Sequence, residues 1–292
     1  MRIMICLFLP LLGAPAFAAC PPGGHGIASL QALKASGFAM TDDADRQSLA
    51  RGLVDCLASP DPALRDGIAF EALSNWLRAG NFDAAQLRAL RDDLYLKLQA
   101  PDPQGVLHPF AALVLSEVAR TDRVAPWMDV AERATMVSHA TDYLRGVGDY
   151  RGFEPGIGWR HGVAHGADWL LQLALNPALD RARLQQVIEA VAVQAVPQSG
   201  HAYVFGEPER LSRPVSYAAR RDLIPDADWQ AWLEGLVAEL GPMPEAGDAR
   251  WLARRHDLRA LLSSLYIDAD QTANPALARL KPLLARTLAA VP

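Results

Sequence analysis

Two histidines and an aspartate stand close together in the segment "GWRHGVAHGADWLLQLAL", residues 158–175. His161, His165 and Asp168 have the spacing H-x3-H-x2-D, which on a helix brings two imidazoles and a carboxylate to one face. Side chains of these types could bind zinc or another divalent metal ion. They could also line a metal-free polar pocket, form a hydrogen-bonded polar core or face solvent.

The sequence leaves two functions open. One is a binding or interaction protein of the cell envelope, with a groove for a small polar ligand or a peptide. The other is a metal-dependent hydrolase that uses His161, His165 and Asp168. The general-base glutamate of H-E-x-x-H is missing, because Gly162 follows His161. The sequence also has no G-x-S-x-G elbow, phosphate-binding loop or dinucleotide fingerprint.

Charged residues on both sides of this segment could complete a site. These are Arg151, Glu207, Glu209 and Arg210. The glutamates could face the histidines across a groove, and the arginines could hold an anionic group by bidentate hydrogen bonds. Alternatively, Glu207 and Glu209 only complement the dipole at a helix N-terminus. In a pocket, we expect at least one of these four side chains to contact the His161, His165 and Asp168 cluster, because an enclosed charge needs a partner.

The same residues resemble the signature of a bacterial family of domains of unknown function. Asp149-Tyr150-Arg151-Gly152 resembles its D-x-R-G element, and residues 158–168 resemble its G-W-x-H-x-x-A-H-x-A-D element. Residues 207–211 resemble its E-D-E-R-L element, with Pro208 in place of the middle acidic residue. The resemblance is densest over residues 142–215. It implies an all-helical fold and no established activity.

The elements that must position these residues are predicted to be helices. Asp61-Pro62, Asn176-Pro177 and Asn274-Pro275 are each typical of a helix start, with an Asx cap before a first-turn proline. Apolar periodicity predicts helices at residues 43–58, 62–79, 83–99, 108–120, 126–146, 158–175, 177–195, 208–222, 226–240, 248–267 and 275–289. We therefore predict an all-α fold of antiparallel helix hairpins, either globular or an irregular HEAT-like α-α superhelix.

The predicted helix at residues 158–175 is expected to be among the most buried. One of its faces is apolar, and another carries Gly162 and Gly166 one turn apart. Each interior glycine costs on the order of 1 kcal/mol relative to alanine. That cost is understandable if a neighbouring helix approaches this face closely.

The N-terminus has the pattern of a secretory signal peptide over residues 1–18, with Ala16-Phe17-Ala18 at the cleavage site. We divide the rest into an N-terminal arm at residues 19–41 and a single all-helical domain at residues 42–292. An exported, periplasmic chain would allow a disulfide between Cys20 and Cys56. The alternative is a lipoprotein anchored at Cys20.

Composition narrows the choice of partners. The 28 basic and 33 acidic residues are interspersed and give a net charge of −5, which argues against a nucleic-acid or anionic-membrane partner. Beyond the signal-like segment, no apolar run is long enough for a transmembrane helix. The sequence indicates neither the ligand nor the oligomeric state.

Overall fold

Helices make up nearly all the regular structure of residues 20–292, the part of the chain that this computed structural model describes. The predicted all-α fold is confirmed, while the predicted signal peptide lies outside the described residues. The elements are α1 (Ile27–Ala35), α2 (Asp43–Cys56), α3 (Pro62–Leu64), a π-helical segment (Arg65–Phe70), α4 (Glu71–Arg78), α5 (Ala84–Gln99), α6 (Leu107–Val124), α7 (Val130–Gly146), β1 (Phe153–Glu154), β2 (Gly158–Trp159), α8 (Gly162–Ala174), α9 (Arg181–Ala195), α10 (Glu207–Arg220), α11 (Asp226–Leu240), α12 (Ala249–Gln271), α13 (Pro275–Ala278) and α14 (Lys281–Ala290).

Short polar side chains fix many of the helix starts. The side chains of Asp61 and Asn274 accept backbone hydrogen bonds and cap α3 and α13, as predicted. The predicted helix start at Asn176 is wrong. The side-chain Nδ2 of Asn176 donates to Asp122 Oδ2 at 2.8 Å, and its side-chain Oδ1 accepts the backbone N–H of Ala178 in a turn. The helix α9 begins only at Arg181, where Asp180 is the cap, four residues after Asn176.

The predicted start of the histidine helix at residue 158 is also wrong. Gly158 and Trp159 pair with Phe153 and Glu154 in a short antiparallel ribbon, and α8 begins only at Gly162. Gly158 and His161 have φ values of 80° and 56°, which lie in the left-handed region and cannot continue a right-handed helix. His161 is therefore the N-cap residue of α8, one position before its first turn.

The N-terminal arm contains a helix that the sequence analysis did not predict. This helix, α1, buries Leu30 in the core. Cys20, at the start of the arm, forms a disulfide with Cys56 at the end of α2. Their Cα atoms are 5.2 Å apart. A disulfide-bonded Cys20 has no thiol left for lipidation, so the bridge and the lipid anchor exclude each other.

The helices stack in two rows. In one row α4, α6, α8, α10 and α12 pack in order, each against the next, and in the other α7, α9 and α11 do the same. This order is what stacked helix pairs produce. The centre of the stack is α8, which contacts α6, α7, α9 and α10. Ten of its thirteen residues are buried, which confirms that it is a central helix.

The glycine face of α8 packs against α7, as predicted. A Cβ atom on Gly166 would lie 3.0 Å from side-chain atoms of both Tyr143 and Leu144. We expect Gly166→Leu to lower the free energy of unfolding by about 1–3 kcal/mol through overpacking. Urea denaturation would measure this loss.

The matched control is Gly235→Leu. Gly235 lies within α11, and a Cβ atom there would meet nothing within 4 Å. This substitution should be neutral or slightly stabilising because leucine has the higher helix propensity. Equal effects of the two substitutions would show that the contact between α7 and α8 does not limit residue size at position 166.

Candidate functional site

A groove of about 540 Å³ lies between the π-helical segment and α6 on one side and the starts of α8 and α10 on the other. Its volume is typical of small-molecule sites. The side chains that line it are mostly aromatic, imidazole or charged: Asp66, Phe70, Glu71, Phe110, Trp159, His161, His165, Phe205, Glu209, Arg210 and Arg213, with Leu113 and Gly206. Four of the predicted site residues, His161, His165, Glu209 and Arg210, are thus in one groove.

His165 is a neutral imidazole with a fixed tautomer. Only 6% of the residue is exposed, and Nδ1 lies 3.0 Å from the Pro109 carbonyl oxygen. A carbonyl oxygen only accepts, so Nδ1 carries the hydrogen and Nε2 is an acceptor. Burial, with a smaller effect from His161, lowers the pKa of His165 to about 3. Nε2 has no hydrogen-bond partner among residues 20–292 and remains accessible in the groove.

His161 lies next to it and is supported by a buried carboxylate. Its ring stacks on Trp159 with 4.7 Å between ring centroids and lies 6.0 Å from the ring of His165. Its Nε2 atom is 3.5 Å from Glu207 Oε1. This separation is at the long limit of a hydrogen bond.

Glu207 is positioned at the start of α10. Its Oε2 accepts the backbone N–H of Phe205 at 2.9 Å, and the residue is buried. Burial by itself would raise the pKa of Glu207, but hydrogen bonds from His161 and from backbone N–H groups outweigh burial and lower that pKa. Glu207 is therefore a carboxylate that fixes both His161 and the end of the preceding loop.

Asp168 is one step removed from the groove. Its Oδ2 atom accepts from Arg210 Nη2 at 2.7 Å, and it is not among the residues that line the groove. Burial raises the pKa of Asp168 even though Arg210 and Arg213 oppose that shift. Asp168 thus anchors Arg210, which itself reaches the groove.

The two remaining predicted residues, Glu209 and Arg151, lie in different places. Glu209 lines the groove, and Arg213 lines it one turn further along α10. Both are exposed, and neither has an ion-pair partner within the described part of the chain. Arg151 lies outside the groove, where it forms an ion pair with Asp149, with Nε 2.8 Å from Oδ1.

The three residues proposed as metal ligands do not converge. His165 uses Nδ1 on a backbone carbonyl, His161 turns Nε2 towards Glu207, and Asp168 is held by Arg210. Within residues 20–292, no group of three or more His, Cys, Asp or Glu side chains is arranged to hold a metal ion. The two imidazoles and the neighbouring Glu207 carboxylate are therefore not arranged as a metal site in the part of the chain that the structure describes.

Arg65 is a site residue that sequence reasoning missed. It is fully buried, it lies over the ring of Phe110 at 4.8 Å, and its Nε is 2.6 Å from Asp66 Oδ1 in a poorly aligned ion pair. It donates from Nη1 to the Ser59 carbonyl at 3.0 Å and from Nη2 to the Ile157 carbonyl at 2.7 Å. Arg65 therefore fastens the ribbon that carries the groove's tryptophan.

The π-helical segment explains why Arg65 and Asp66 were missed. A continuous helix was predicted over residues 62–79, but residues 65–70 form the wider π-helical turn. Such turns often occur at functional sites. They shift the following side chains away from the positions that a continuous α-helix would give them. Burial raises the pKa of Asp66, with Arg65 acting in the opposite direction. The sequence signal for these two residues was their position as a charged pair directly before the apolar residues 67–70.

Fold and groove together define a class: an all-α protein of stacked helix pairs with an imidazole-containing groove at the start of its central helix. Residues 94–267 match the model of a family described as a protein of unknown function, DUF2785. This match covers more than half of the chain, so the chain belongs to that family. The predicted membership of an uncharacterised domain family is confirmed. No curated protein and no solved structure matches the chain.

Among the helices described over residues 20–292, none combines the length and apolar character needed to cross a lipid bilayer.

Proposed function

We propose that the protein is an exported binding protein and that its groove holds a small polar ligand or a short peptide. The observation that carries this proposal is the Nε2 atom of His165, a fixed acceptor without a protein partner at the inner side of the groove. Because this atom can be reached from the groove and can only accept, it selects a ligand group that donates a hydrogen bond. Export is supported by the signal-like residues 1–18 and by the disulfide-bonded Cys20.

Aromatic side chains at the mouth of the groove support binding as well. Trp159 is 39% exposed and Phe205 is 37% exposed, and their rings meet edge to face at 5.9 Å. Phe205 lies directly on Gly152, where a Cβ atom would be 2.0 Å from the ring. Large apolar surfaces held open beside polar groups are typical of ligand sites.

Binding is favoured over metal-assisted hydrolysis by the position of Asp168. Its carboxylate pairs with Arg210 behind the groove, so it is not available beside the two imidazoles. A hydrolytic metal needs protein ligands that leave one coordination position open, and three are usual for zinc.

The test is a thermal-shift panel of neutral trisaccharides, tripeptides and dicarboxylic acids, followed by calorimetry. A ligand at about ten times its Kd should stabilise the fold by roughly 1.4 kcal/mol and raise Tm by about 3 °C. His165→Asn should reduce this rise, because the asparagine amide can still donate to the Pro109 carbonyl but offers no acceptor at Nε2.

A control variant is Gln198→Ala, which removes an exposed polar side chain that bonds Glu239 far from the groove residues. It should leave every ligand response unchanged. If no compound raises Tm, or if the rise is the same in His165→Asn, the groove is not the binding site. Mass spectrometry of the protein recovered from a bacterial periplasm tests export, and a chain that retains residues 1–18 contradicts it.

A further inference from the structure

We infer that the ligand of the groove is a neutral carbohydrate, with hydroxyl groups on its polar side chains and a sugar ring against its aromatic rim. This inference rests on the proposed binding function and adds the chemical class of the ligand. Three features of the groove support it: a fixed acceptor, a balance of unpaired charge and an exposed aromatic surface.

The fixed acceptor selects a ligand with a hydrogen to donate. Since Nδ1 of His165 donates to Pro109, Nε2 can accept from a hydroxyl or an N–H group but cannot donate to an anion. Burial opposes protonation of the imidazole, with the pKa lowered to about 3. An ionised carboxylate or phosphate therefore finds no hydrogen bond at this position.

The charges in the groove cancel. Asp66 is paired with Arg65, Glu71 with Lys34 at 2.9 Å, and Arg210 with Asp168. The charged lining residues left without an ion pair, within residues 20–292, are Glu209 and Arg213, which have opposite signs.

No excess charge of one sign is thus available to hold an ionic ligand. A carboxylate that accepts and a guanidinium that donates suit adjacent hydroxyl groups, because each hydroxyl both donates and accepts. Glu209 and Arg213 lie one helical turn apart on α10, so both can address the same sugar unit.

The aromatic rim supplies a surface for the ring of a sugar. Phe153, Trp159 and Phe205 form a row, with ring centroids 5.3 Å and 5.9 Å apart. The C–H face of a pyranose is apolar, and covering it with an aromatic ring removes apolar area of both from water. A short peptide could use the same rim, but each of its N–H groups only donates and each of its carbonyl groups only accepts, whereas every sugar hydroxyl can do both beside Glu209 and Arg213.

The experiment compares neutral and charged probes on the full mature chain by isothermal titration calorimetry. The probes are maltotriose, cellotriose, N,N′,N″-triacetylchitotriose, trigalacturonic acid and trialanine. At least one neutral trisaccharide should bind to the protein. Trigalacturonic acid and trialanine should bind to the protein at least about tenfold more weakly than that sugar. Phe205→Ala and Glu209→Gln are both at exposed positions, and each should raise the Kd for the sugar by about tenfold.

Leu252→Ala serves as the control, because Leu252 is an exposed apolar residue of α12 that does not line the groove. It should bind like the wild type. Tighter binding of trialanine or trigalacturonic acid, weakened by Phe205→Ala, would overturn the carbohydrate and keep the groove as a binding site. Sugar binding that none of the groove variants changes would overturn both.

Discussion

Replacing Asp257 with asparagine should stabilise the protein, and by much more at pH 8 than at pH 5. Asp257 is only 1% exposed, its Oδ1 accepts the backbone N–H of Tyr203 at 2.8 Å, and its Oδ2 is buried without a partner within residues 20–292. Burial raises the pKa of Asp257 to about 7, and the nearby Glu207 carboxylate adds to that rise.

The direction of the pH effect follows from the two protonation states. In the unfolded chain an aspartate titrates near pH 4, so between about pH 4 and pH 7 the unfolded state is ionised while the folded state holds a proton. The folded state binds more protons in this window, so stability falls as pH rises through it. Above pH 7 the loss is complete and on the order of 4 kcal/mol, because a pKa difference of about three corresponds to about 1.4 kcal/mol for each unit. Asparagine carries no charge and avoids that loss.

The measurement is urea denaturation of wild type and Asp257→Asn at pH 5, 6, 7 and 8. The difference in free energy of unfolding between the two proteins should grow with pH, because only the wild type has the titrating carboxyl at position 257. His165 and the other titrating groups contribute equally to both proteins and cancel. Asp142→Asn is the control, since the Asp142 side chain is exposed on α7, and it should give no such trend. A difference that is constant from pH 5 to pH 8 would show that Asp257 is ionised throughout.

Replacing Arg65 with methionine should destabilise the fold by about 3–5 kcal/mol. The reason is that Arg65 is fully buried, and its loss leaves the half-buried Asp66 carboxylate without its ion-pair partner. Here the loss also frees the carbonyl groups of Ser59 and Ile157, which accept from Arg65. Chemical denaturation measures the change, and tryptophan fluorescence of the folded variant should report the displaced Trp159.

The double variant Arg65→Met with Asp66→Asn separates the two causes. If the unpaired carboxylate dominated, removing its charge would restore most of the stability; we expect less than half to return, because the two carbonyls still lack donors. The control Arg181→Met removes an arginine that pairs with Asp228 at 2.5 Å on the surface, and it should change stability little. Comparable losses at positions 65 and 181 would contradict the bridging role of Arg65.

Local patterns were enough to predict most of the helices and one half of the groove. His165 and Asp168 lie on one helix, and their spacing indicated that they share a face. Arg210 follows Gly206 and Pro208, which predicted the start of a helix. The error at residues 158–161 has a local cause that the apolar pattern does not reveal: His161 adopts a left-handed backbone that is uncommon for residues other than glycine.

The other half of the groove could not be predicted because its contacts are distant in sequence. Arg65 and Ile157 are 92 residues apart, and no periodicity within either segment indicates that they meet. The predicted helix start at Asn176 failed for a similar reason, since Arg221, 45 residues away, donates to the backbone carbonyl of Asn176 that a helix would use in its first turn. Tertiary hydrogen bonds of this kind override local propensity.

The groove crosses the boundary of the family region. Residues 94–267 supply both imidazoles, the arginines of α10 and the part of the facing wall that α6 forms, whereas Asp66, Phe70 and Glu71 precede that region. The groove of this chain is therefore completed from outside the family region. If the groove binds a ligand as we propose, a change at Asp66, Phe70 or Glu71 would alter the ligand preference of this protein while leaving the imidazole pair in place.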